Sequence, residues 1–122
     1  MRESKFQRDL IKDLKEMFPG STIKKLDPPP QGIPDIWIFH SSGRWACLEC
    51  KRSKDEPHQP NQDFYVNKYN KQSFARFIFP ENRQEVLDEL QRALEPSRTA
   101  RLSRCLTTQL VELHGRGLSQ CI

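Results

Sequence analysis

The chain has no apolar run approaching the roughly 20 residues that span a bilayer. Its first residues, Met-Arg-Glu-Ser-Lys-Phe, hold no apolar signal region. Neither membrane insertion nor export is expected, and a cytoplasmic setting follows. A cysteine framework is missing too. Of four cysteines, Cys47 and Cys50 form a C-x-x-C on an expected strand, where positions three apart face opposite sides and cannot chelate one metal. No helix start follows that pair, as a thioredoxin-like motif requires, and Cys105 and Cys121 supply no matching second pair. Four reduced thiols are the expectation. No repeat of fixed period is present. Charge of one sign is also scarce where the fold is expected: residues 1–95 hold 16 Lys and Arg against 15 Asp and Glu, a balance of +1. Residues 96–122 hold four Arg against one Glu, a balance of +3. The basic excess therefore sits mainly in the tail and is weak support for a nucleic-acid partner.

What is present fits one domain over residues 1–95 of the 122. Phe6, Leu10, Ile11, Leu14, Met17 and Phe18 recur at helical spacing, so residues 4–18 read as an amphipathic helix. Ser4 with Gln7 is a capping-box start, and Pro19-Gly20 a stop. Residues 21–26 form a short strand candidate that Asp27 and three prolines end. Two further strands follow, at 36–39 and 45–48, joined by a short loop. Asn61 is a plausible cap for a helix over 62–71, with Phe64, Tyr65 and Tyr69 as its apolar face. Residues 74–79 read as a strand closed by Pro80. Asn82 with Glu85 is a second capping box, opening a helix to about Leu94 with Val86, Leu87, Leu90, Ala93 and Leu94 inward. The order α-β-β-β-α-β-α defines an α/β fold. The strand after the second helix is expected to join by a crossover, making the central sheet mixed.

The chemistry gathers between Gly32 and Lys51. A three-residue loop at 41–43, with Gly43 free to take positive φ, places His40 opposite Arg44. Counting back, Ile38 faces Ala46 and Asp35 faces Glu49, with Lys51 on the same side because side chains alternate along a strand. Directly opposed residues have Cβ atoms roughly 4.5–5.5 Å apart. Two carboxylates and one ammonium so placed on an apolar hairpin call for compensation, and a divalent cation supplies it. Mg²⁺ takes oxygen ligands, commonly one or two carboxylates completed by water and substrate phosphate. Asp35, Glu49 and the Cys50 carbonyl would form such a partial shell. Lys51 would hold the attacking water or stabilise charge on the phosphorus, while the Cys50 side chain points to the core. The bland alternative is a solvated Glu49–Lys51 surface pair, worth little. Glu3 likewise has two readings, an acid favoured near a helix N-terminus and an auxiliary acid projecting from the first turn.

Pro34-Asp35, a 13-residue gap, then Glu49-Cys50-Lys51 resembles the signature of the PD-(D/E)XK nuclease superfamily. With Glu3 on the first helix, the Gly32-Ile33-Pro34-Asp35 context and Gln62 opening the next helix, residues 3–94 are similar to its virus-type replication–repair (VRR-NUC) and Holliday-junction-resolvase-like branches. The resemblance implies a restriction-endonuclease-like core and a Mg²⁺- or Mn²⁺-dependent phosphodiesterase without an organic cofactor. It makes Asp35 and Glu49 metal ligands, Lys51 the base or stabiliser, Glu3 an auxiliary acid, and Gln62 a group orienting Lys51 or a phosphate. Small stand-alone members of these branches are often phage-encoded, and so placed in the host cytoplasm, and act as homodimers on branched DNA. Relatives with a Gln-x-x-x-Tyr helix carry Tyr where this chain has Val66, which sets it apart from the processive recombination exonucleases.

Candidate phosphate contacts are Lys24, Lys25, Arg52, Lys54, Lys68, Lys71 and Arg76, each of which also reads as a solvated surface charge. His58, alone in a loop, carries no assignment. Residues 96–122 read either as an appended or read-through extension or as a basic arm for nucleic acid. A structure-selective DNA endonuclease is the leading expectation. A non-catalytic nucleic-acid-binding module of the same fold and an RNA-directed nuclease are the alternatives, since no stacking motif in the sequence separates RNA from DNA.

Overall fold

A computed structural model describes residues 3–96, with Glu3 described by its backbone alone; the expected tail falls outside them. The elements are α1 (Glu3–Met17), β1 (Thr22–Lys25), β2 (Ile36–Phe39), β3 (Trp45–Cys50), α2 (Gln62–Gln72), β4 (Ala75–Ile78), a 3₁₀ turn (Pro80–Asn82) and α3 (Arg83–Leu94). The strands lie side by side in chain order, β1 to β4. β1–β2 and β2–β3 are antiparallel and β3–β4 is parallel, with α2 as the crossover, so the sheet is mixed as expected.

The β2–β3 register is the one the loop length implied. Ile36 pairs with Leu48, Trp37 with Cys47, Ile38 with Ala46 and Phe39 with Trp45. Gly43 takes φ 95° and the His40 amide donates to the Arg44 carbonyl at 2.8 Å, closing the loop. Alternation then separates two cores. Ile36, Ile38, Ala46, Leu48 and Cys50 face α1 and α3, where Phe6, Leu10, Leu14, Phe18, Val86, Leu87, Leu90 and Leu94 meet them. Trp37, Trp45 and Cys47 face the other way, toward Val66 and Tyr69 of α2. Cys47 and Cys50 thus lie on opposite sides of the sheet, and each is a reduced thiol. Among the described residues α2 packs mainly on β3 and β4, touches β2 through Tyr69 against Trp37, and leaves Phe39 at the far end of β2 exposed.

Several local expectations fail for identifiable reasons. Helix α1 begins at Glu3, so Ser4 lies inside it and Gln7 turns inward instead of capping. Asn61 stands at the N-cap of α2 in the left-handed conformation, φ 73°, without a side-chain cap bond; asparagine tolerates that region better than most residues. Asn82 does not form a capping box with Glu85. Its Oδ1 instead accepts the Phe79 amide at 2.8 Å, which holds the 3₁₀ turn ahead of α3. On α2 the buried residue is Val66, while Phe64 is 61 % exposed, so the apolar face lies one step from the expected one. Strand β4 stops short of Phe74 and Phe79.

Leu10 of α1 is fully buried in the core that the sheet, α1 and α3 share. Leu10→Ala is expected to lower unfolding stability by about 2–5 kcal/mol, the range for leucine deletions that leave a cavity, measured by urea titration.

Candidate active site

The strands end where the charges begin. Continuing the β2–β3 register by one residue sets Asp35 opposite Glu49, and Lys51 follows on the same side. All three are buried, at 5 %, 4 % and 4 % exposure, which rules out a solvated surface pair. The Asp35 main chain is held by the Leu26 amide, which donates to its carbonyl at 2.8 Å. Its carboxylate accepts from the Cys50 amide at 3.2 Å through Oδ1 and from Gln7 Nε2 at 2.5 Å through Oδ2. The Ser4–Gln7 capping pattern in the sequence hides Gln7 as a site residue. The available signal was its position: it lies three, four and seven residues before Leu10, Ile11 and Leu14, a polar group on a buried stripe.

Gln62, the first residue of α2, joins the other two groups. Its Nε2 donates to Glu49 Oε1 at 2.8 Å, and its Oε1 accepts from Lys51 Nζ at 2.6 Å and from the Gln59 amide at 2.7 Å. One amide therefore offers its donor end to the carboxylate and its acceptor end to the ammonium. Lys51 Nζ also donates to the Pro57 carbonyl at 3.3 Å and lies 3.6 Å from Glu56. Arg52 Nε reaches Glu56 at 2.6 Å. Burial opposes the charge on Glu56, but the Arg52 hydrogen bonds and the Lys51 and Arg52 charges together outweigh it and lower its pKa. Cys47, beside Glu49 on the same strand face, has its thiol pushed up to about 12 by burial and then by the Glu49 charge.

Asp35, Glu49, Lys51, Arg52, Glu56 and Gln62 line a cavity of about 490 Å³, bounded also by Leu26, Pro29, Cys50, Pro57 and Gln59. The Cys50 side chain belongs to the core, which leaves its main chain as the part facing the cavity. Among the described residues no three or more His, Cys, Asp and Glu side chains cluster as a metal site. Two opposed buried carboxylates and a main-chain carbonyl do suit a hard cation that keeps most of its ligands as water or phosphate.

The remaining candidates are dispersed. Glu3 opens α1, and its side chain lies outside the described part of the structure. Lys24 and Lys25 are exposed on the edge strand β1, and Arg52 stands exposed at the cavity. Lys54 is exposed in the loop, where its amide donates to Glu81 at 3.2 Å, and Lys68 and Lys71 are exposed on α2. Arg76 is not at the site: it bonds Glu89 of α3 at 3.0 Å and Asn70. His58 stacks on Phe77, with centroids 4.0 Å apart, and contacts Asp63 at 2.8 Å.

Gly32 ties the two sides of the cavity together. Its φ is 82°, and a Cβ there would lie 2.7 Å from Cβ of Asn61, the residue before Gln62.

Compared with protein-family models, curated proteins and solved structures, the chain matches none. What the fold defines is an α/β domain with a mixed four-stranded sheet between helices. Among the described residues no helix is long and apolar enough to cross a membrane.

Gly32→Ala combines left-handed strain with that close approach. It is expected to cost at least about 1–3 kcal/mol in urea unfolding, whereas Gly43→Ala, where a Cβ meets nothing within 4 Å, bears the strain alone and costs less. In native protein at pH 8, Cys47 and Cys50 are expected to resist alkylation, because Cys47 is a protonated thiol and both are buried. Peptide mapping should find them modified only after unfolding.

Proposed function

We propose that the chain is a metal-dependent DNA endonuclease of the PD-(D/E)XK type with a restriction-endonuclease-like core, selective for branched or otherwise irregular DNA and acting as a homodimer. The observation that carries this reading is the burial of Asp35, Glu49 and Lys51 on one side of the sheet, together lining a single cavity with Gln62. Burying two carboxylates and an ammonium is costly unless they are paired or coordinate a cation, and a purely structural hairpin has no need of them. The element order and the parallel β4 strand also agree with that core.

In this mechanism Asp35, Glu49 and the Cys50 carbonyl would hold Mg²⁺ or Mn²⁺. When bound, the cation supplies Lewis-acid stabilisation of negative charge on the scissile phosphate. Lys51, aimed by the Gln62 carbonyl oxygen, presents its ammonium to a phosphate oxygen or to the attacking water. Water adds to phosphorus as the P–O bond to the leaving strand breaks; the attacking water releases a proton to solvent and the leaving oxygen takes one from solvent. Gln62 keeps Lys51 and Glu49 at fixed spacing. Gln7 and the Cys50 amide fix the Asp35 carboxylate, which is a positioning role. Arg52 stands where the DNA backbone would enter. Glu3 stays an auxiliary acid in this proposal.

Purified protein should cut four-way-junction or flap DNA with Mg²⁺ or Mn²⁺ and not with EDTA. Lys51→Ala and Asp35→Ala should each lower the rate by at least about 10²-fold. Undiminished cleavage in either variant, or cutting without metal, would sink the mechanism, and binding without cleavage under every metal would make the chain a non-catalytic module. Gln7→Ala should weaken Mn²⁺ binding about 10–100-fold by calorimetry. An unchanged affinity would reduce Gln7 to a packing residue.

A further inference from the structure

The nuclease reading uses one end of the α2-side sheet face, and the other end is unexplained. There, among the described residues, α2 packs mainly on β3 and β4 and reaches β2 through Tyr69 against Trp37. On the β1–β2 half stand Lys24 opposite Trp37 and Thr22 opposite Phe39, each pair sharing a side of the sheet. Phe39 is 47 % exposed, unusual for a large apolar side chain in a strand. Its ring stacks on Trp37 at 6.5 Å with planes 16° apart, and Trp37 stacks on Trp45 at 5.8 Å with planes 21° apart. Tyr69 closes the row edge-on against both tryptophans, and Lys68 lies 5.9 Å from its ring centroid. The Trp37 indole donates to the Pro34 carbonyl at 2.8 Å, fixing the ledge to the residue before Asp35. Between the hairpin loop and the Asp35–Glu49 pair, no residue on this face of β1, β2 or β3 is a carboxylate.

We propose that this ledge is a stacking platform for an unpaired stretch of DNA leading into the cavity. The inference rests on the nuclease reading and names the structural feature that such an enzyme would select. The exposed Phe39 ring, backed by the half-buried tryptophan row, offers a base of any sequence a stacking partner, and flanking ammonium groups take the phosphates, the combination that holds single strands. A second copy of the chain fits less well. Across a two-fold interface it would add its own Lys24 and Lys68 to a face that already has both and no carboxylate. Duplex DNA, its bases already stacked, has nothing to give the exposed Phe39 ring.

The two tryptophans of the chain are Trp37 and Trp45, so intrinsic fluorescence reports on the ledge alone. The full chain, in EDTA to prevent cleavage, is titrated with an oligothymidylate of about 12 nucleotides, within the length such platforms bind, and with a duplex of equal length. The single strand is expected to quench the emission in a salt-dependent manner and the duplex to leave it nearly unchanged. Phe39→Ser and Lys68→Glu, both at exposed positions, should each weaken the single-strand affinity at least about fivefold with an unaltered thermal midpoint. Absence of quenching, equal quenching by duplex, or unchanged affinity in both variants overturns the platform. So does a dimer in sedimentation that Phe39→Ser dissociates, which would make the ledge an interface between copies. Cleavage with Mg²⁺ but no quenching removes the platform and leaves the cavity assignment intact. Quenching without cleavage under any metal does the reverse.

Discussion

A single side-chain amide makes the buried charges of this protein compatible. Gln62 donates to Glu49 and accepts from Lys51, so an acid and a base on adjacent positions of one strand face need not collapse onto each other. Direct contact would consume both charges. With the amide between them, both side chains stay at the cavity wall, each held by a neutral partner. This arrangement depends on where α2 begins, and α2 begins where it does because the chain turns through the left-handed Asn61. The helix matters to the site through its first residue more than through its length.

The sheet supplies the other half of the constraint. A hairpin loop of three residues sets the register, and the register sets which charges meet. A slip of one residue would set Asp35 opposite Leu48 or Cys50 and Glu49 opposite Pro34 or Ile36, parting the two carboxylates. The site is therefore specified by loop length and alternation before any side-chain contact is considered.

That is why the hairpin was legible in the sequence and its surroundings less so. Period-two alternation, the Gly43 turn and the spacing of Asp35, Glu49 and Lys51 are local signals, and α1 and α3 announce themselves by their apolar stripes. Gln7 and Val66 depend on tertiary contacts. Gln7 looked like a cap because Ser4 stood three residues before it, yet the helix starts earlier and the glutamine faces Asp35. The short α2 carries aromatics on more than one side, so periodicity alone did not choose Val66 as the buried residue. Asn61 and Asn82 have the composition of caps but bond elsewhere, since backbone conformation and the neighbouring turn decided the outcome. The aromatic ledge was invisible for a related reason: its residues come from two strands and a helix, and only the partial cover given by α2 exposes it.

The contact between Gly32 and Asn61 has a consequence for how this fold can change over time. The two residues belong to different loops, one leading to Asp35 and the other to Gln62, yet they touch with no room for an added methyl group. Gly32 cannot gain a side chain unless Asn61 gives way. A larger residue at 32 demands a retreat at 61, which would carry Gln62 away from Lys51, so the two loops form one inherited unit despite their separation along the chain.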